Sequence, residues 1–360
     1  MHVIELDAHD PRWEAFVHEH PEALIYHHPA WLYVLGTEYG QESVCLACED
    51  RAGIVHGILP MAWTKGLPLG STVRTGARLS SLPRTPVAGP LVAHERAKTA
   101  LIDAAIDLVR DRPGTRLEMK PSATCSMDEA GGLSGLRWRR AYVLPLPRPG
   151  ADLRFGTSRN RARLKWAVRK ANRLEVGVRP AETSEDLRSW YELYLETMRT
   201  HAMPPRPFRL FDVMWEVLRP RGFMRLLLAE RERRLIAGSL YLAFGGTVFY
   251  AFNGCLRSEL RLRPNDIIQW HAIDEFRREG FREYDLGEVG SGNHGLAEFK
   301  SKWGAEERQL HRYYYPRPAV ERLEDASNTP RGSQTLLEAG WRRVPLILTA
   351  AVGDAVYRFL

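Results

Sequence analysis

Three apolar, strand-like stretches, 224–229, 235–243 and 247–253, follow one another with only short connections, around ERER and Gly245-Gly246. Connections this short close antiparallel hairpins and leave no length for a crossover, so the segment predicts an antiparallel meander. A helical pattern follows at 264–278, with Pro264 suited to its first turn and Gly280 to its stop, and then a strand at 283–286. A short helix over 296–303, ended by Gly304, and a strand over 309–315 complete the run. Helices over 158–174, 184–200 and 209–218 precede the meander, the last two separated by HAMPPRP, whose prolines interrupt a continuous helix.

The first half shows the same order of elements without sequence repetition. Helical patterns at 10–19 and 29–39 lead to strands at 43–48 and 54–64 around the turn EDRAG, then to an amphipathic helix over 93–110 and a strand over 115–119. Residues 65–90 are rich in Gly, Ser and Pro and predict loops around short strands. The chain's 360 residues suffice for two cores. The expected fold class is α/β, with two tandem domains, each a mixed, largely antiparallel sheet flanked by helices. The expected boundaries are 1–146, 147–318 and a tail, 319–360, made of a polar linker at 321–334 and a helix within 336–360.

The formal charge of +7 favours an acidic partner: nucleic acid, a nucleotide-linked substrate or an anionic membrane surface. The opening residues lack a secretory signal pattern, and no apolar run approaches the roughly 20 residues of a membrane span. A cytoplasmic protein is expected. The tail sequence WRRVPLILTAAV joins basic and apolar groups, so docking on the domains stands beside a peripheral contact with the inner membrane face. Four cysteines make no disulfide framework. Cys45 and Cys48, three apart in a strand, point to opposite faces, and buried structural thiols are expected. Of the histidines, only His27-His28 draws notice, and these lie side by side rather than on one helical face. No metal is expected.

The strongest charge feature is a run of cations, Arg154, Arg159, Arg161, Arg163, Lys165, Arg169, Lys170 and Arg173, with no acidic residue among them. At about 100° per residue, Leu164, Ala167, Val168, Ala171 and Leu174 form one apolar stripe, and the cations take the opposite arc. Trp166 falls among the cations. An indole beside guanidinium groups suits a base and its phosphates, whereas the alternative is a solvated face with Arg stems sheltering a surface Trp. A second feature runs from Tyr284-Asp285-Leu286-Gly287 through Glu288, Gly290, Gly292 and Asn293 to Phe299-Lys300-Ser301-Lys302-Trp303-Gly304. Its glycines let a substrate approach the backbone, and Lys300 on the following helical turn can point back to the same cleft and stabilise an oxyanion. Asp285, Glu288 and His294 are candidate proton acceptors. No GxSxG, HExxH or Walker loop is present.

The basic helix with its KxxxRKA pattern, Thr197-Met198-Arg199, Tyr250-Ala251-Phe252-Asn253-Gly254, Tyr284-Asp285-Leu286-Gly287 and Phe299-Lys300-Ser301-Lys302-Trp303-Gly304 together resemble the Fem-type aminoacyltransferases over 147–316. Pro29-Ala30-Trp31 extends the pattern weakly into the first half. The resemblance implies two acetyltransferase-fold domains and transfer of an amino acid from aminoacyl-tRNA to an amine of a peptidoglycan precursor. Looser relatives use acyl-CoA.

It further implies that Lys300, with Phe299 beside it, stabilises the oxyanion. Arg199, Arg206 and Asn253 join Arg159, Arg163, Lys165, Trp166 and Lys170 as substrate-binding candidates. A phosphate-holding lysine of the family is replaced near Leu35, and Arg206 matches a second phosphate-binding position. At 261–266 the chain reads RLRPND, without the glycines of a coenzyme A pyrophosphate loop. The expected activity is N-acyl transfer to an envelope precursor or small-molecule amine, with no bound cofactor. Aminoacyl-tRNA is the preferred donor and acyl-CoA the rival; the other reading is a non-catalytic RNA- or partner-binding module.

Overall fold

The computed structural model describes residues 1–66, 76–127, 131–151, 155–290, 292–318 and 338–357. Arg154 and the linker expected at 321–334 lie outside them. The chain forms two units, Met1–Arg139 with Gln309–Ser327 and Val356–Leu360, and Arg140–Arg308 with Asn328–Ala355.

In the first unit, strands β1 (His2–Glu5), β2 (Ser43–Glu49), β3 (Val55–Thr64), β4 (Arg78–Ser80) and β6 (Arg116–Met119) lie in that order, and β13 (Glu306–Tyr315) is next from Gln309 onward. The short β5 (Leu91–Val92) pairs with β3. Helices α1 (Pro11–Glu19), α2 (Pro29–Tyr39) and α3 (Glu95–Arg110) complete the unit. Ala97, Leu101, Ile102, Ala105, Ile106 and Val109 of α3 fall on one face and bury against Leu46, Leu59, Met61 and Leu117 of the sheet. Cys45 and Cys48 are both buried, and burial pushes the Cys45 thiol up to about 12, so neither is a reactive thiol.

In the second unit the order is β7 (Ser134–Pro145, from Arg140), β12 (Glu283–Val289), β11 (Thr247–Cys255), β10 (Arg234–Phe244), β9 (Met224–Arg231) and β8 (Gly177–Pro180). The meander β9–β10–β11 is antiparallel as expected, and β12 returns parallel to β11 after α7 (Pro264–Arg278). The first unit repeats this plan: β2–β3–β4, then α3, then β6 parallel to β4. Further helices are α4 (Ser158–Arg173), α5 (Ser184–Thr200), α6 (Phe208–Val217), α8 (His294–Ser301) and α9 (Leu346–Tyr357).

Two boundaries differ from expectation. Residues 309–315 belong to the first unit, because Tyr313, Tyr314 and Tyr315 pair with Met119, Glu118 and Leu117. The second unit starts at Arg140 rather than near 147, because Val143, Leu144 and Pro145 pair with Asp285, Tyr284 and Glu283. The first unit therefore takes most of β13 from sequence beyond its N-terminal block, and the second unit begins within β7.

Local chemistry explains the elements around the second sheet. Thr183 and Asp186 close α5 with a capping box, and Arg179 of β8 binds both Asp186 and Glu230. Trp190 of α5 is fully buried, donates to the Gly238 carbonyl at 2.9 Å and meets Phe211 edge-on at 5.1 Å between centroids. A Cβ on Gly254 of β11 would lie 2.6 Å from the Tyr194 backbone nitrogen, so the close seat of α5 on this strand accounts for the glycine in the Tyr250–Gly254 motif. Among the described residues, no helix is long and apolar enough to cross a membrane.

Candidate active site

Strands β11 and β12 pair only from Thr247/Glu283 to Phe249/Asp285, although β11 runs on to Cys255 and β12 to Val289. Irregularities open the sheet on either side. The β10–β11 register shifts between Leu240 and Tyr241, and the β12–β7 register shifts between Asp285 and Glu288. Beyond Phe249 and Asp285 the two strands part, and their main-chain groups lose each other as ladder partners. An opening between parallel strands at their C-terminal ends offers unpaired backbone N–H and C=O groups to a ligand.

Gly287 makes the bend. Its φ is +84°, and the Asp285 carboxylate accepts from its N–H at 2.6 Å, closing a tight turn in the strand. A Cβ there would stand 3.5 Å from Nζ of Lys300, so the lysine head is seated against this turn. The N-cap Asn293 accepts from the Leu296 N–H and starts α8, which carries Lys300 back beneath the bend.

Lys300 is 4% exposed, and its ammonium donates to the Glu288 carbonyl at 3.1 Å. An ammonium has three donors, and among the described residues this is its one hydrogen bond and it has no ion-pair partner. Burial lowers the Lys300 pKa to about 8, opposed by Asp285 and Glu288. Burial raises Asp285 to about 6, opposed by the Gly287 N–H and by Lys300. Near neutral pH the arrangement therefore holds a charged, desolvated cation beside an ionised carboxylate, with donors left for an incoming oxygen.

The surroundings include groups that motif reasoning did not single out. Tyr241 and Tyr284 are fully buried, with centroids 5.9 Å apart, and Tyr250 lies 5.8 Å from Tyr241. Tyr284 donates to the Gln269 side chain. Burial pushes all three phenols up, so they serve as neutral hydrogen-bonding groups at the root of the opening. Three tyrosines in successive strand patterns were visible in the sequence, but only pairing brings them together.

The other expected residues divide into groups. Phe299 is partly buried under the Lys302 ammonium, 4.2 Å from its ring centroid. Glu288 lends its carbonyl to Lys300, and His294 is exposed at the start of α8. Asn253 accepts from Ser239 across β10 and β11 at 3.2 Å. Arg163 reaches Glu298 of α8 at 3.2 Å, linking the basic helix to the helix that bears Lys300. Arg199 pairs with Glu196 and donates to the Val344 carbonyl, contacts that hold structure. The Arg206 main chain is clamped by the hydroxyls of Tyr194 and Tyr191.

Helix α4 forms as its stripe implies: Leu164, Ala167, Val168 and Ala171 are buried, and Thr157 caps the N-terminus. Trp166 is 48% exposed, with Lys170 and Arg263 at 5.3 and 5.2 Å from its ring centroid. Arg159, Arg161, Lys165, Arg169 and Arg173 are without a carboxylate partner among the described residues. Ala162, Lys165, Trp166, Arg169, Asn172 and Arg173 line a shallow groove along this face.

At the start of α7, Asp266 is buried and ion-paired with Lys302, with Arg263 at 3.8 Å. A carboxylate already occupies the first turn, where a bound pyrophosphate would need the helix N–H groups and positive dipole end.

The fold also gathers Glu14, His18 and His28, spaced beyond what sequence reading connects. The Ala30 N–H donates to Nδ1 of His28 at 3.0 Å, which leaves the proton of the neutral ring on Nε2, the nitrogen facing His18 at 3.3 Å. That tautomer lacks the lone pair a metal would need there, and the cluster is read as a helix cap. His27 is likewise structural: it accepts from the Leu24 N–H and reaches the Gly89 carbonyl, and burial lowers it to about 4.

Comparison with known proteins bears on the fold and the domain. Residues 158–301 match the acetyltransferase (GNAT) domain model. A UDP-N-acetylmuramoylpentapeptide-lysine N(6)-alanyltransferase of Weissella viridescens is 25% identical over 134 residues, which are 36% of this chain and 38% of that protein's length. The match thus spans less than half of that relative. Among solved structures, FemX is similar with a TM-score of 0.66 at 16% identity, covering 88% of this chain and 97% of the other. L-PGS from Bacillus licheniformis gives 0.56 at 11% identity, covering 98% of each; at such identities these likenesses concern the fold. Residues 158–301 thus match a GNAT acetyltransferase domain, and in sequence and fold the chain is similar to Fem-type proteins.

Proposed function

We propose that this protein is an N-acyltransferase that passes an aminoacyl group from aminoacyl-tRNA to an amine of a cell-envelope precursor. The observation that carries the reading is Lys300, a buried ammonium seated at the parting of β11 and β12 with donors left for a substrate oxygen.

In this reaction the acceptor nitrogen attacks the ester carbonyl carbon of the donor. A C–N bond forms and the carbonyl oxygen becomes an oxyanion, which Lys300 and the unpaired N–H groups of the opening stabilise. Collapse breaks the C–O bond to the tRNA ribose, and the proton lost by the amine is returned to that leaving oxygen. Asp285, ionised above about pH 6, is placed to carry the proton. The leaving group needs no covalent enzyme intermediate.

Two observations favour tRNA over coenzyme A as donor. The exposed cations and Trp166 of α4 suit a polyanion with stackable bases, and Asp266 with Lys302 fills the first turn of α7. The Weissella relative's name supplies the amine of a peptidoglycan precursor as the acceptor class. The position where the family holds precursor phosphates with lysine is, near Leu35, a buried apolar stretch of α2, so the acceptor differs in how its phosphates are held.

The test presents purified protein with charged tRNA or acyl-CoA, each with a lysine-containing envelope precursor. Transfer from charged tRNA is expected; tight coenzyme A binding and transfer from acyl-CoA without tRNA would overturn the donor assignment. Donor binding without transfer to any amine would leave a binding module.

A further inference from the structure

Helix α9 turns an apolar face outward. Thr349 and Gly353 are buried, and a Cβ on Gly353 would lie 2.2 Å from the Pro205 carbonyl oxygen, so this side of the helix is pressed against the 201–207 loop. Ile347, Leu348, Ala351, Val352 and Ala355, on the opposite arc, are exposed, Ile347 by 83%, with Asp354 at one edge.

The surrounding surface extends the pattern. Arg342 donates to the Thr200 carbonyl at 3.1 Å, tying the segment before α9 to the end of α5. Partial burial, and then the charges of Arg257 and Arg342, hold the neighbouring His201 below its ordinary pKa. Exposed Met203 is two residues from His201, and exposed Leu260 is on the turn that begins with Arg257. Ile347, Leu348, Val352, Met203 and Leu260 are half of the exposed large apolar side chains among the described residues, and all are on these adjoining segments. Arg257, Arg261, Arg342 and Arg343 are exposed beside them.

We propose that the second unit docks on an anionic lipid surface through the outward face of α9, its apolar side chains entering the headgroup boundary while Arg257, Arg261 and Arg343 engage the headgroups. Apolar side chains bordered by arginines are the composition of an interfacial helix. A second copy fits less well, because in a two-fold contact like arginines would face one another. This inference stands apart from the assignment of Lys300.

The experiment sediments the full chain with phosphatidylglycerol vesicles and, in parallel, with phosphatidylcholine vesicles. Binding to the anionic vesicles should exceed binding to the neutral ones about tenfold and weaken as salt is added. Ile347→Asp with Leu348→Asp should lower it at least tenfold with an unchanged melting temperature, and Ile347→Ser with Leu348→Ser serves the same purpose if the acidic pair disturbs folding. Arg257→Gln with Arg343→Gln should lower it several-fold. No sedimentation with phosphatidylglycerol, or undiminished binding by both α9 variants, would overturn the proposal. So would a wild-type dimer that these variants convert to monomers while vesicle binding stays absent.

Discussion

The two units follow one plan and differ at one place. In each, a meander is followed by a helix and a parallel strand, and in each a buried lysine lies just past the pairing of the parallel strands. In the first unit that lysine is Lys120, whose ammonium donates to the Leu82 and Thr85 carbonyls, while the Ala88 N–H donates to its own carbonyl. The chain over 82–88 fills the opening. In the second unit the corresponding space is bounded by Gly287 and Lys300, and Lys300 uses one donor on the Glu288 carbonyl. The comparison teaches that two buried ammonium groups at like places differ in how far carbonyls satisfy them, and the proposed chemistry rests on the one with donors left over.

Substituting the two lysines should break the parallel most strongly. Lys300→Met should lower single-turnover transfer by about 10²–10³-fold, the usual loss for an oxyanion donor, with little change in melting temperature because it removes a desolvated charge. Lys120→Met should do the reverse, leaving transfer by the folded protein intact and costing about 2 kcal/mol as carbonyls lose their donor, read by denaturant unfolding. Equal activity losses for both variants would erase the distinction.

A weaker perturbation sharpens it. Gly287→Ala forces a side chain into a positive-φ position, at about 1–2 kcal/mol, and crowds the Lys300 head. Transfer should fall about tenfold or more while donor binding is kept, measured as rate and affinity separately. The smallest effect is expected outside the opening: Trp166→Ala should weaken donor tRNA binding about tenfold through lost stacking, with the single-turnover rate at saturation unchanged. Arg163→Ala, which removes only an exposed ion pair, should change stability by less than about 1 kcal/mol.

Much of this was legible in the sequence, for identifiable reasons. Helix α5 carries a capping box and α7 a proline in its first turn, each with a long apolar stripe, and their bounds appear in the residues themselves. The strands β1 and β8 have only four residues each, too few to show a period. The first part of β7, SGLRWRR, places arginines where a strand pattern would be sought. The assignment of β13 to the first unit and the start of the second within β7 were hidden because strand partners are chosen by pairing, which no local pattern encodes.

Lys300 was legible through its glycine-rich approach and motif. The parting of β11 and β12 was not, since it arises from register shifts at Leu240/Tyr241 and Asp285/Glu288. Arg199 shows the converse: its place in a motif suggested substrate, whereas Glu196 and the Val344 carbonyl engage it.

The central claim is that protonated Lys300 acts on the reacting carbonyl, and the pH dependence of the single-turnover rate tests it most directly. Lys300 contributes while protonated and loses its role as pH rises through about 8, and Asp285 loses its charge as pH falls through about 6. The wild type should therefore be fastest between those values. Lys300→Met should be slow throughout and lack the alkaline fall near pH 8. An alkaline fall that persists unchanged in Lys300→Met, or a variant as fast as the wild type, would contradict the account.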